Sequence, residues 1–243
     1  MLSLQDIVVS RGRHIVIERS SAEADKGNIV ALLGPNGSGK TTLLHFISGV
    51  LEGDSGEVYY DGSKVVRTSP DWRTKLSYVA DDGGIIPLLT VEEQLFLQCS
   101  LAGVEREAAI ERANHILELL DLGKHRSHRG DELSAGLTKR LGIGLGIICE
   151  AEILLFDEPF SALDVPTLEL FNRLIIFLKQ KMRIVIIAPH SFPYLDRVCN
   201  RVWNIKSREV SDISNEQESR RLLSDSLKSE KTSYEELDLP WIH

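Results

Sequence analysis

The run Gly34-Pro35-Asn36-Gly37-Ser38-Gly39-Lys40-Thr41-Thr42 has the residue types and spacing that hold phosphate. Glycines let consecutive backbone N–H groups turn inward without a Cβ in the way, and a lysine and a threonine follow at once. The pattern G-x-x-x-x-G-K-[ST] is met without a gap by Gly34, Gly39, Lys40 and Thr41. Its chemistry assigns Lys40 to the terminal phosphates of a nucleotide and the Thr41 hydroxyl to a divalent cation. A second candidate is Asp157-Glu158, which follows the apolar run Ile153-Leu154-Leu155-Phe156. A buried strand that ends in acids presents a carboxylate at the carboxyl edge of a sheet. Asp157 is then a cation ligand, and Glu158 is placed to polarise an attacking water.

These groups need elements to position them. Residues 28–33 read as a buried strand entering the glycine-rich loop. Residues 41–49, with Leu43, Leu44, Phe46 and Ile47 at helical spacing, read as the helix leaving it. Residues 2–9 and 14–17 predict two strands around Gly12, 56–60 with Asp61-Gly62 a hairpin, and 75–79 another strand. From Thr90 the period changes, and 91–101, 105–120 and 133–149 predict a helical lobe. Strands at 153–156, 184–187 and 202–205, with a helix at 166–179, imply a largely parallel sheet covered on both faces. The polar, acidic stretch after Lys206 reads as a tail with one helix near 216–227, either solvated or docked on a partner.

The whole chain bounds the function. Its 243 residues are 42% apolar and 26% charged, the balance of a globular protein. A net charge of -8 argues against broad nucleic-acid binding. The cysteines Cys99, Cys149 and Cys199 have no metal-like spacing and suit a reducing compartment. No apolar run reaches membrane-spanning length, so the chain is not expected to cross a bilayer by itself, and no leader is expected at its start.

In this order the motifs resemble the ATP-binding cassette family, over about residues 2–206. Glu158-Pro159-Phe160-Ser161-Ala162-Leu163-Asp164 resembles the segment that joins the acidic strand end to the D-loop. His190 matches the family's switch histidine, and Leu133-Ser134-Ala135-Gly136-Leu137 falls where its signature Leu-Ser-Gly-Gly-Gln stands. The resemblance implies an α/β fold: a P-loop NTPase (RecA-like) core, an N-terminal antiparallel β subdomain, and an inserted α-helical lobe at about 90–150. Residues 1–206 then form the ATPase domain and 207–243 a tail. It also implies ATP and Mg2+ as cofactors, and a second cassette whose γ-phosphate meets Ser134 and Gly136. Transmembrane permease subunits are separate chains, and the location is cytoplasmic, peripheral at the inner face of the cell membrane. The compact helical lobe leaves no room for the long coiled coil of chromosome-maintenance relatives.

Several positions depart from the family pattern. Arg11 stands where an aromatic residue stacks on adenine, and is read either as a stacking guanidinium or as a solvated one, with Val16 as an apolar substitute. Asp81 stands where the family has a metal-sensing glutamine, which makes it a third candidate cation ligand and predicts altered metal dependence. Ala135 and Leu137 alter the signature. Leu145 replaces an arginine, and Gly142, Gly144 and Gly146 interrupt a helix at a cost of about 1 kcal/mol each. The implied function is ATP-driven transport through other chains. The alternatives are a cassette acting on ribosomes or nucleic acid and a regulatory nucleotide-binding protein with low turnover. A bias toward the haem exporter of cytochrome c maturation is a narrower expectation.

Overall fold

In the computed structural model the described residues are 1–189 and 198–213, with Glu218, Ser219, Leu223 and Ile242 beyond them. The chain opens with β1 (Leu2–Arg11) and β2 (His14–Ala24), an antiparallel pair, and β1 pairs on its other edge with β4 (Ser55–Tyr60). A short β5 (Ser63–Lys64) completes the four-stranded order β2-β1-β4-β5. The turn from β4 to β5 is the expected two-residue hairpin: Asp61 and Gly62 both have positive φ, 47° and 79°, as a turn matched to strand twist demands.

The second sheet has the order β10-β9-β3-β8-β7-β6. Its central strands are β3 (Ile29–Leu33), β7 (Ile153–Asp157) and β8 (Ile184–Ala188). They are flanked by β6 (Leu76–Val79), β9 (Arg201–Lys206) and β10 (Glu209–Ile213). All pairings are parallel except β9 with β10. The sheet is buried on both faces. On β3, Ile29 and Ala31 join one core while Val30 and Leu32 join the other, and β7 divides Leu154 and Phe156 from Ile153 and Leu155 in the same way. Burial of each such side chain contributes about 1.5–3 kcal/mol.

Helix α1 (Lys40–Ser48) lies with the antiparallel sheet on one side of the core, and α2 (Pro70–Lys75) is a short helix capped by Ser69. On the other side are α3 (Val91–Leu101), α4 (Arg106–Leu119), α5 (Ala135–Ile147) and α6 (Val165–Gln180). Thr90 caps α3 with a reciprocal bond to Glu93, so the helical lobe starts where the sequence period changes.

Residues 209–213 correct the reading of the whole stretch after Lys206 as tail. They form β10, and Val210 is buried there while Asp212 takes both Nε and Nη2 of Arg201 at 2.8 and 2.7 Å. An edge strand needs only one apolar face, so five residues with a single valine pass for tail in the sequence. Farther on, Leu223 and Ile242 are buried against the main core. Most of the expected helix at 216–227 lies outside the described residues.

Candidate functional site

Strand β3 sits between β9 and β8, so the chain leaving its carboxyl end enters the crevice where the strand order reverses. The glycine-rich loop occupies that crevice. Gly34 has φ of +150°, and a Cβ there would lie 2.9 Å from the Ile205 carbonyl oxygen and 2.5 Å from Ser38 Oγ. Gly39, the N-cap of α1, has φ of +109°, and no side chain caps that helix. Its first turn, Lys40-Thr41-Thr42, contains no acid, so the N–H groups and the positive end of the helix face the crevice. Lys40 is buried and donates from Nζ to the Gly34 carbonyl at 2.9 Å, across its own loop.

A cleft of about 560 Å³ faces this loop, lined by Val16, Gly39, Lys40, Thr41, Asp81 and Glu158 among others. It brings the phosphate loop together with Glu158 and Asp81. Asp157 ends β7, is buried, and stands close enough to Thr41 for that residue to act on its carboxyl. Burial pushes its carboxyl above the usual range. The Asp81 charge adds to this, while Thr41 and Tyr78 oppose it. Its Oδ1 has no hydrogen-bond partner among the described residues, nor has the buried Ser38 Oγ in the loop. An unpartnered carboxylate oxygen beside a threonine hydroxyl is a hard-oxygen pair, and it fits a divalent cation of the Mg2+ kind.

Glu158 follows with φ of +49°, a backbone conformation rare for a residue with a Cβ. Both sides of its peptide are held. Its N–H donates to the Ala188 carbonyl at 2.8 Å, and its carbonyl accepts from Lys139 Nζ at 2.7 Å and Ser161 Oγ at 3.1 Å. Lys139 also donates to Asp81 Oδ1 at 2.6 Å. Asp81, expected as a cation ligand, does line the cleft, but its Oδ1 faces a lysine.

Arg11 is tied down by a partner the sequence did not suggest. Its Nη2 lies 2.9 Å from His45 Nδ1, and Val16 rather than Arg11 lines the cleft. A guanidinium only donates, so Nδ1 accepts and the ring proton sits on Nε2, 2.9 Å from Tyr78 Oη. The phenol is then free to donate to Asp157 Oδ2 at 3.4 Å. Burial, then the Arg11 charge, hold His45 below its ordinary value, which keeps this neutral tautomer. Arg11 thus reaches the acid at the end of β7 through two side chains.

Ser134 caps α5, with its Oγ accepting from Leu137 N–H, and Gly136 lies in the first turn. The glycines of α5 have a packing reason. A Cβ on Gly142 would lie 2.7 Å from Gly83 Cα, one on Gly144 2.7 Å from Ile116 Cγ2, and one on Gly146 2.4 Å from Val79 Cγ2. Leu145 packs against the main core. His190 lies outside the described residues. Lys139, His45, Tyr78 and Ser161 were missed as site residues. Lys139 had a signal: it shares a helix face with Gly142 and Gly146, three and seven residues on, so it had to point at the core.

The comparisons with known proteins agree with this geometry. The family model described as ABC transporter matches residues 17–161. An uncharacterised ABC transporter ATP-binding protein of Mycobacterium tuberculosis is 34% identical over 209 residues, covering 81% of this chain and 63% of that protein. The chain thus spans less than two thirds of the length of that relative. The phosphonates import ATP-binding protein of Wolinella succinogenes is 31% identical, with coverages of 86% and 82%. The cytochrome c biogenesis ATP-binding export protein of Nitrosomonas europaea is 30% identical, with coverages of 78% and 88%. A solved dimeric ATP-binding cassette, in a post-hydrolysis state with ADP and Pi, superposes with a TM-score of 0.79 at 25% identity, covering 88% of this chain and 98% of its own. With the phosphate loop facing Glu158 across one cleft and the family model matching more than half of its length, the chain belongs to the ATP-binding cassette family of ABC transporter proteins.

Proposed function

We propose that this chain binds and hydrolyses ATP and drives transport across a membrane through separate transmembrane subunits. One observation carries the catalytic part: Lys40 and Thr41 face Glu158 across a single cleft, and the buried Asp157 stands at the end of the adjoining strand with its Oδ1 unpaired. In this reading the loop from Gly34 to Gly39 and the amino end of α1 cradle the phosphates, Lys40 shifts from its own loop to the terminal phosphates, and Thr42 supports the cradle. Thr41 and Asp157 would hold Mg2+, whose charge neutralises the phosphates when bound. Glu158 orients water for attack on the terminal phosphorus, and His190 contacts the same phosphate.

The relatives support the rest. Import and export ATP-binding proteins are both among them, so the fold serves either direction. The dimeric cassette supports a two-chain site in which Ser134 and Gly136 of one copy meet the nucleotide of the other. Among the described residues no helix is long and apolar enough to cross a membrane, which accords with permease partners on other chains and a peripheral, cytoplasmic location. Exposed Ile86 and Leu88, between the sheet and the helical lobe, are the proposed seat for those partners. The ATPase unit is proposed to run through β10 to residue 213.

Glu158→Gln tests the catalytic assignment. ATPase activity should fall by about a hundredfold or more, while binding of ATP stays within a few fold. Full turnover in that variant would remove Glu158 from the reaction. Recovery of the chain with a membrane permease from detergent extracts tests the transport assignment.

A further inference from the structure

Lys139 ties α5 to both the loop after β6 and the turn after β7. Its side chain is only 9% exposed, so its ammonium needs acceptors, and it has two: Asp81 Oδ1 at 2.6 Å and the Glu158 carbonyl at 2.7 Å. The Asp81 side chain is 66% exposed, so burial does not hold it; the lysine does. Ser161 Oγ donates to the same Glu158 carbonyl at 3.1 Å and stands 3.4 Å from Asp81 Oδ1, which closes a four-residue cluster at the wall of the cleft. The helix is seated on the loop that carries Asp81. A Cβ on Gly83 would lie 3.0 Å from the Thr138 carbonyl oxygen, and one on Gly142 would meet Gly83 Cα at 2.7 Å. At that distance Lys139 and Asp81 have little freedom to part.

Glu158 gains most from this. Its φ of +49° persists only where neighbours impose it. With its N–H fixed by Ala188 and its carbonyl by Lys139 and Ser161, the direction in which its carboxylate leaves the backbone is set. Lys139 also pairs with Asp81, whose charge stands close enough to act on Asp157.

We propose that Lys139 is a positioning residue of the hydrolytic site, which sets the Glu158 backbone through its carbonyl and keeps the Asp81 carboxylate from binding the divalent cation. The first half rests on the ATPase reading above; the second does not. Through this residue the helix that begins at Ser134 and the turn that carries Glu158 move as one piece.

The test uses the full chain with Lys139→Met, Lys139→Arg, Asp81→Asn and the Met/Asn double variant. Mn2+ affinity is measured by electron paramagnetic resonance with a non-hydrolysable ATP analogue bound, and kcat and KM for ATP are measured beside it. Asp81→Asn should leave Mn2+ affinity within about twofold of the parent, because the carboxylate serves the lysine. Lys139→Met should tighten Mn2+ binding by about tenfold through the freed Asp81, and the double variant should return it to the parent value. In Lys139→Met kcat should fall by about tenfold or more with KM for ATP within about threefold, and Lys139→Arg, whose fork reaches both acceptors, should recover most of it. A packing role alone would lower thermal stability without moving Mn2+ affinity or splitting kcat from KM. A tenfold weakening of Mn2+ in Asp81→Asn makes Asp81 a ligand and overturns the proposal, as does Lys139→Met with parental kcat and Mn2+ affinity. A parent chain without ATPase activity would overturn the ATPase reading and the positioning half, with the Mn2+ arm still deciding the other. If Lys139→Met does not fold, Lys139→Gln takes its place in both arms with the same expected results.

Discussion

The phosphate loop and helix α5 are both rich in glycine, and they use it differently. In the loop Gly34 and Gly39 have φ of +150° and +109°, so the residue is there for a backbone path that other residues rarely take. In α5 the glycines lie within a regular helix, where the residue costs about 1 kcal/mol against alanine. There the missing Cβ is what matters, because neighbours occupy its place. The first use is set by φ, although Gly34 also faces the Ile205 carbonyl and Gly39 the Val16 side chain. The second depends on Gly83, Ile116 and Val79, which arrive from elsewhere in the chain. The loop glycines are therefore required by conformation and contact together, whereas those of α5 are required by contact alone.

The largest effect that tests this contrast is expected at the loop. In Gly34→Ala the new methyl would meet the Ile205 carbonyl at 2.9 Å as well as a flexible serine, and φ is unfavourable besides. A backbone carbonyl in a paired strand does not move aside. Stability should drop by about 3 kcal/mol in urea unfolding, and ATP affinity by more than about tenfold in calorimetry, because the loop can relieve the strain only by leaving its cradle shape. Unchanged affinity would mean that the cradle does not depend on this conformation.

Gly142→Ala comes next. Both close contacts are backbone atoms, Gly83 Cα at 2.7 Å and Gly83 O at 3.1 Å, so no rotamer change relieves them. Overpacking of about 1–3 kcal/mol outweighs the helix propensity gained, and the net loss should be about 1–2 kcal/mol. ATP affinity should stay near the parent value, since the phosphate loop is untouched, while kcat should fall as the seat under Lys139 shifts. A stabilised variant would show that packing is not why glycine stands here.

This division also explains what could be read in advance. The strand, loop and helix around Gly34–Thr41 were legible because the signal is continuous in sequence, and Asp157-Glu158 was legible because an apolar run delivers it. The cap at Ser134 and the hairpin at Asp61-Gly62 followed from local chemistry as well. What escaped were partnerships between distant residues. Arg11 was read as stacking or solvated because His45, 34 residues away, gave no sign of accepting from it. The Lys139 that donates to Asp81 gave no sign either, since it lies 58 residues on in another element. Strand β10 was hidden since an edge strand with one buried valine has too little apolar pattern to stand out from a polar tail. An acid's role depends on the charge that faces it, and that is a property of the fold.

Gly144→Ala should have the smallest effect, and it isolates the packing term. Its methyl would lie 2.7 Å from Ile116 Cγ2 and 3.0 Å from Leu120 Cδ1, both ends of side chains on or just after α4 rather than backbone. Such ends yield by rotation at a cost of about 1 kcal/mol, which the better helix propensity of alanine nearly offsets. Stability within about 1 kcal/mol of the parent is expected from urea unfolding, in contrast to Gly142, where the same methyl meets backbone. A loss above about 2 kcal/mol would instead mean that Ile116, fully buried, has no second rotamer to take. In that case the α4 face of α5 would be as rigid a seat as the Gly83 face, and the lobe would be fixed to its signature helix on both sides.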